Sequence, residues 1–237
     1  MCGRYASSRP PELIAEKFDV AEVKTESLKE NFNVAPTTKV YAVLERSTDE
    51  DEVQRQLRAL RWGLVPSWAK DVKIGNRMIN ARAESVAEKP AYRRALAKRR
   101  CLIPADGYYE WLAQAGRPKQ PFFIRRRDGE QLAIAGLYEL WRDKDAGDDA
   151  EWLWSCTIIT TDANSATEHI HDRMPVVLSP KNWGPWLDPA NSDTDRLAKL
   201  LVPAPAKDFE AFPVSTQVNN VRNNGPHLLD PIPADET

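Results

Sequence analysis

The chain opens Met1-Cys2-Gly3-Arg4-Tyr5, and loss of Met1 would leave Cys2 as a 1,2-aminothiol. An α-amine titrates near ~8 and a cysteine thiol near ~8.5, so both keep a nucleophilic fraction at neutral pH. Together they capture an aldehyde, first as a Schiff base and then as a five-membered thiazolidine ring. No internal cysteine offers that pair. By position alone Cys2 is only a small second residue; its chemistry needs an acid, a base and an anchor from elsewhere in the chain.

Three segments offer them. Asn80, in Met78-Ile79-Asn80-Ala81-Arg82-Ala83-Glu84, places an amide beside an arginine, just ahead of an expected helix. The amide can orient a small polar ligand and Arg82 can hold a phosphate; a helix cap and a surface arginine are the plainer alternative. Glu110 lies in Gly107-Tyr108-Tyr109-Glu110-Trp111, where aromatic neighbours on a strand can desolvate a carboxylate and raise its pKa into the proton-shuttling range. His169 and His171, two apart in Glu168-His169-Ile170-His171-Asp172-Arg173, would share one face of a strand. The third histidine, His227, stands alone in a Gly/Pro/Asn loop, so a metal site is not expected. His171 as an anion-stabilising imidazole, with Arg173 as a phosphate ligand, is the more economical reading. Trp62 and Trp68 bracket a turn, Trp62 as core and Trp68 as a possible stacking platform for unpaired bases. Trp141, Trp152 and Trp154 read as core.

The 237 residues are 42% hydrophobic and 29% charged, as expected of one large or two small globular domains. Residues 1–20 lack the apolar core of a signal peptide, and no run is long enough to span a membrane. Cys2, Cys101 and Cys156 are odd in number and widely spaced, which argues against a disulfide framework and for a reducing cytoplasm. Net charge is −2, but residues 89–127 hold eleven Lys/Arg against Asp106 and Glu110. Such segregation can build a basic face for phosphates.

The elements that must position these groups are short. Pro10-Pro11-Glu12 starts a helix whose Leu13, Ile14 and Phe18 form an apolar face. Residues 33–38 read as a loop, 39–45 and 54–62 as a hairpin with an acidic turn at 49–52, and 91–98 as a helix. Strand-like runs follow at 101–104, 108–112, 121–127, 131–140, 152–161 and 176–178. Residues 143–151 form a polar hairpin tip, and late helices are expected near 182–187 and 192–201. This pattern predicts an α+β fold, a single domain over 1–229 with a mostly antiparallel, barrel-like sheet and flanking helices, and a C-terminal tail over 230–237.

Taken together, these segments resemble the SOS response-associated peptidase (SRAP) family. The matching motifs are MCGRYA at the start, NVAP at 33–36, WGLVPSW at 62–68, INARAE at 79–84, PADGYYEW at 104–111, KQPFFI at 119–124, HDRMPVVL at 171–178 and PVS at 213–215. They lie in family order and span nearly the whole chain. The resemblance implies a cytoplasmic, monomeric protein that meets abasic sites in single-stranded DNA and shields them by a covalent thiazolidine crosslink. It further implies that Cys2 is the nucleophile freed by autocatalytic loss of Met1, and that Asn80 holds the sugar and N-terminus. Glu110 would be the acid/base, and His171 would help to open the deoxyribose ring. Arg4, Asn33, Pro36, Trp68, Arg82 and Arg173 would contact DNA, and neither metal nor organic cofactor is implied. Two positions depart from the pattern: Ala69 where a second tryptophan is common, and Pro90 where a basic residue is expected. A cysteine peptidase acting on other proteins, or a non-covalent single-strand binder, are the rival readings.

Overall fold

A computed structural model describes residues 2–47, 52–143, 145, 147 and 149–233. Its strands are β1 (Tyr5–Ser7), β2 (Glu22–Val23), β3 (Asn31–Val34), β4 (Lys39–Ser47), β5 (Val53–Trp62), β6 (Asn80–Arg82), β7 (Arg100–Ala105), β8 (Gly107–Leu112), β9 (Gln120–Arg126), β10 (Leu132–Trp141), β11 (Leu153–Asp162), β12 (Arg173–Pro175) and β13 (Phe209–Pro213). The helices are α1 (Pro11–Phe18), α2 (Arg93–Lys98), α3 (Trp183–Leu187) and α4 (Thr194–Ala198).

The larger sheet runs β12-β11-β10-β7-β4-β5-β2. It curls until β5 meets β11 in parallel, Arg61 opposite Ser155 and Trp62 opposite Cys156, so that β4, β5, β7, β10 and β11 form a ring. Closure removes two sheet edges that would otherwise expose unpaired backbone groups. β4 shows why its sequence does not alternate. Val40, Ala42 and Leu44 enter the core inside the ring, whereas Tyr41 and Val43 enter a second core beneath the helices. A strand buried on both faces needs apolar residues at every position.

Helix α1 begins with Pro11 at its first turn and buries Ile14 and Phe18, and Phe18 stacks on Trp183 at 4.6 Å. Leu13, expected on the same apolar face, is 47% exposed. The second sheet, β13-β9-β8-β1-β3, holds the N-terminus. β1 is an interior strand, Tyr5 pairing with both Val34 and Tyr108. Ser8 secures its end by donating to Asp106 Oδ2 from its backbone N–H (2.6 Å) and its hydroxyl (2.8 Å).

Where β8 begins, Gly107 lies so close to β9 that a Cβ would sit 2.4 Å from Phe123 Cζ and 2.6 Å from the Ile124 carbonyl oxygen. The backbone oxygen cannot rotate away. Gly107→Ala is therefore expected to cost roughly 2–3 kcal/mol through overpacking, read as a lower urea midpoint with an unchanged m-value.

Several sequence expectations meet a different local structure. Asn33 lies in β3 rather than a loop. Asn80 lies in β6 and is followed by turns, not a helix. The strand expected at 176–178 falls earlier, at β12, because Arg173–Pro175 pair with Asp162–Thr160; Val177 makes only a single bridge to Ile134. His169 and His171 sit in a turn segment, not on a strand, with His169 exposed. Trp152 is 54% exposed beneath Arg142, not core, because it precedes the paired part of β11. The chain stays bonded as far as Ile232, whose N–H donates to the Pro213 carbonyl at 3.0 Å. Most of the acidic turn, and residues 144, 146 and 148 of the polar tip, lie outside the described residues.

Candidate active site

Because β1 is threaded between β3 and β8, Cys2 is carried to one end of the ring, where it is fully buried. The ladder continues one step beyond β1, with the Tyr109 N–H donating to the Arg4 carbonyl at 2.9 Å. Asn80 is brought there by β6, which lies parallel to β11 with Asn80 opposite Ile158. Its Nδ2 donates to the Cys2 carbonyl at 2.8 Å, a hydrogen bond spanning 78 residues of sequence. Its Oδ1 is buried and accepts no hydrogen bond among the described residues. A buried amide oxygen left open in this way is a ready acceptor for a hydroxyl or ammonium group.

Glu110 follows Tyr108 by two positions on β8, so both side chains lie on one face of the strand. Glu110 as a residue is 3% exposed. Burial raises its pKa from 4.5 to about 7, outweighing the nearby positive charge of the N-terminus, and half of it is protonated near neutrality. The Cys2 thiol is pushed well up, by burial first and by the Glu110 charge second. It is therefore a neutral thiol here, without the nucleophilic fraction expected of an ordinary cysteine at neutral pH, because the sheet that holds Cys2 also excludes water from it. The Tyr108 hydroxyl is buried as well, its pKa raised by burial and then by the charges of Cys2 and Glu110. Sequence reading did not single out Tyr108; strand alternation from Glu110 would have found it.

His171 is partly buried. Its Nδ1 accepts the Arg173 backbone N–H at 3.0 Å and also lies 2.8 Å from Asp172 Oδ1. The two neighbours imply opposite protonation of Nδ1. The Asp172 side chain is 86% exposed, and a solvated carboxylate contributes little, so the backbone donor sets the tautomer and leaves the proton on Nε2. Burial, followed by the N-terminal positive charge, lowers the His171 pKa below its usual value. Its neutral form is therefore favoured at pH 7.

The Arg173 guanidinium is turned inward. It makes a two-pronged pair with Glu84 (2.8 and 2.9 Å) and reaches Asp162 Oδ1 (2.6 Å) and the Thr160 carbonyl (2.8 Å). It thus ties the end of β11 to the segment after β6 and anchors the His171 turn. Glu84, inside the INARAE motif, was not read as a partner because 89 residues separate the two.

Arg4 Nη1 donates to Asn33 Oδ1 (2.6 Å) and to the Val218 carbonyl (2.9 Å), with its guanidinium 5.8 Å from the Trp111 ring centre. Asn33 is buried and its amide nitrogen donates to the carbonyls of Val218, Asn220 and Asn223. Together they fasten the late loop 216–224 to the N-terminal sheet. Pro36 is half-buried and precedes Thr37, which adopts a left-handed φ of 74°. Arg82 is exposed at the end of β6. Trp68 is 58% exposed, and its loop is held where Trp141 Nε1 donates to the Ala69 carbonyl at 2.7 Å. The basic stretch is partly neutralised: Arg99, Arg125 and Arg126 pair with Glu139, Glu210 and Asp128, and Arg100 is buried. Among the described residues no group of three or more His, Cys, Asp or Glu is placed to hold a metal ion, and no helix is long and apolar enough to cross a membrane.

The structure thus holds the second residue, Cys2, buried in a mixed α+β barrel, with the Asn80 amide on its carbonyl and the Glu110 carboxyl of pKa about 7 close enough to act on its thiol. The family model described as SOS response associated peptidase (SRAP) matches residues 1–221. The chain belongs to that family. It is 42% identical over 231 residues to the Bacillus subtilis (strain 168) abasic site processing protein YoqW, covering 97% of this chain and 99% of that one. It is 36% identical over 228 residues to the abasic site processing protein HMCES of Gallus gallus, covering 85% of this chain and 66% of that one. A crystal structure of a Bacteroides thetaiotaomicron protein superposes with a TM-score of 0.84 at 27% identity, covering 98% of this chain and all of that one.

Proposed function

We propose that this protein processes abasic sites in single-stranded DNA, forming a thiazolidine crosslink through Cys2 once Met1 has been removed autocatalytically. The observation that carries the reading is the Asn80–Cys2 hydrogen bond beside a buried carboxyl of pKa about 7. While Met1 is attached, the Cys2 nitrogen is an amide and the thiol is buried and neutral, so the centre is dormant. Asn80 holds the Cys2 carbonyl, and Glu110 shuttles the proton that peptide cleavage requires. Water adds to the Met1 carbonyl, the C–N bond breaks, and methionine leaves with its new carboxylate, so the Cys2 amide becomes an amine.

The abasic sugar exists mainly as a closed hemiacetal. Protonated Glu110 supplies the acid for ring opening, and neutral His171, with its proton on Nε2, donates a hydrogen bond to the ring oxygen. The amine adds to C1′ and water leaves; the thiol then adds to the resulting imine and closes the ring. The product has no free aldehyde to drive β-elimination, and the strand is protected. Arg4, Asn33, Pro36, Trp68 and Arg82 border the path of the strand, and Arg173 acts by holding the His171 turn. The protein works as a cytoplasmic monomer, associated with the nucleoid when on DNA.

Purified protein is expected to lack Met1 by intact mass and to form a band with an abasic single-stranded oligonucleotide that survives denaturing electrophoresis. Binding without such a band would replace this reading with non-covalent capture. Release of fragments from an unrelated peptide would instead favour a peptidase acting on other proteins.

A further inference from the structure

The ring has a second end. Along β11, Asn80 pairs with Ile158 near the Cys2 end, whereas Trp154 lies four residues back, roughly 13 Å away at the strand rise. Trp154 is packed against the core that also contains Cys2, Cys156, Cys101 and Tyr138, so one continuous packed core runs between the two ends. At the far end Trp154 stacks on Tyr138, centroids 5.7 Å apart and planes within 12°. Two arginines converge on the same indole, Arg58 at 4.4 Å and Arg46 at 5.0 Å from its centre. Arg58 shares its strand face with Leu60 and Trp62, and Arg46 with Leu44 and Ala42, so both lie on the core-facing side of their strands.

Neither arginine has a carboxylate within ion-pair distance among the described residues, although acids are nearby. Glu45 is held by Arg55 at 2.8 Å, Glu139 pairs with Arg99, and Glu22 meets Lys24 at 2.9 Å. Arg58 Nε donates to Gln56 Oε1 at 3.0 Å, and the rest of its fork has no protein acceptor in that set. Arg46 has only the indole among the described residues. Burial lowers the Arg58 pKa, and the adjacent charge of Arg46 is the next cause, so the two charges stand side by side and repel. Two half-buried like charges are expensive to keep together unless an anion joins them.

We propose that Arg46, Arg58 and Trp154 form a second site, at the end of the ring away from Cys2, that binds a phosphate group. Planar guanidinium forks match phosphate geometry, and indole stacking pre-orders both before the anion arrives. The phosphate is either a free ion or a phosphodiester of a DNA strand that continues past the reactive end. The site stands apart from Cys2 chemistry, so crosslinking to a short abasic oligonucleotide is unaffected by its loss.

The test is thermal unfolding in inorganic phosphate against sodium chloride of equal ionic strength. Wild-type protein is expected to gain about 3–6 °C at ten times the dissociation constant, and the Arg46→Gln/Arg58→Gln variant none. Titration of an unmodified single-stranded oligonucleotide against salt separates the sources. A DNA phosphodiester in the site makes the slope of log K against log salt shallower in the variant, by about 0.7 for each phosphate no longer neutralised; a free phosphate leaves it unchanged. Wild-type protein also suffices alone: the Trp154 indole N–H resonance must shift as phosphate is added. No phosphate-specific rise and a motionless Trp154 resonance would overturn the proposal.

Discussion

Cys2→Ala protein is expected to give no denaturant-stable adduct with an abasic single-stranded oligonucleotide, while retaining salt-sensitive binding. The loss is complete rather than partial because alanine leaves an amine that can form only a reversible imine, with no sulfur to close the ring. Reduction with borohydride would then trap that imine if Met1 is still removed, which separates the amine's role from the thiol's. Cys2 is buried in the core inside the ring, so the truncation also leaves a small cavity, and the urea midpoint should fall modestly. Normal adduct in this variant would remove Cys2 from the chemistry altogether. Retained binding is expected because Arg4, Asn33, Trp68 and Arg82 are untouched.

Glu110→Gln should slow adduct formation by about a hundredfold or more, the usual contribution of a positioned acid, and should retain part of Met1 by mass. The pH profile is the sharper reading. A carboxyl of pKa about 7 acting as acid, with an amine that must be unprotonated, gives a bell with its maximum between about 7 and 8. Glutamine abolishes the descending limb. Stability moves too. The folded pKa is raised from 4.5 to about 7, so the stabilising effect is complete below about 4.5 and is lost as pH rises through about 7. Wild type should therefore lose stability over that window relative to the glutamine variant. Identical wild-type and variant profiles would deny Glu110 the acid's role.

Most strands were legible as short apolar runs bounded by prolines, glycines or charges, and β5 by its alternation opposite β4; β4, β5, β7, β8, β9, β10 and β11 all fall within one or two residues of their expected bounds. The misplacements share a cause. At β12 the apolar run Val176–Leu178 pointed to the strand, but pairing with the end of β11 decided it. At His169 and His171 the two-residue spacing suggested a shared strand face, but the segment folds as a turn, with His169 exposed and His171 partly buried. Trp152 was expected in the core as the first residue of a strand over 152–161, but β11 begins at Leu153 and leaves it 54% exposed.

By itself the sequence determined which groups are present: an aminothiol precursor at Cys2, and the amide, carboxyl and imidazole of Asn80, Glu110 and His171. It also determined which strands are apolar on both faces, since composition and period are local properties. Only the tertiary structure decided what state those groups are in. The parallel closure of β5 on β11, the bond from Asn80 to Cys2 across 78 residues and the clamp of Glu84 on Arg173 across 89 involve partners distant in the chain. Burial, and with it the neutral thiol, the raised carboxyl and the neutral imidazole, follows from those partners, because desolvation depends on what surrounds a side chain in space.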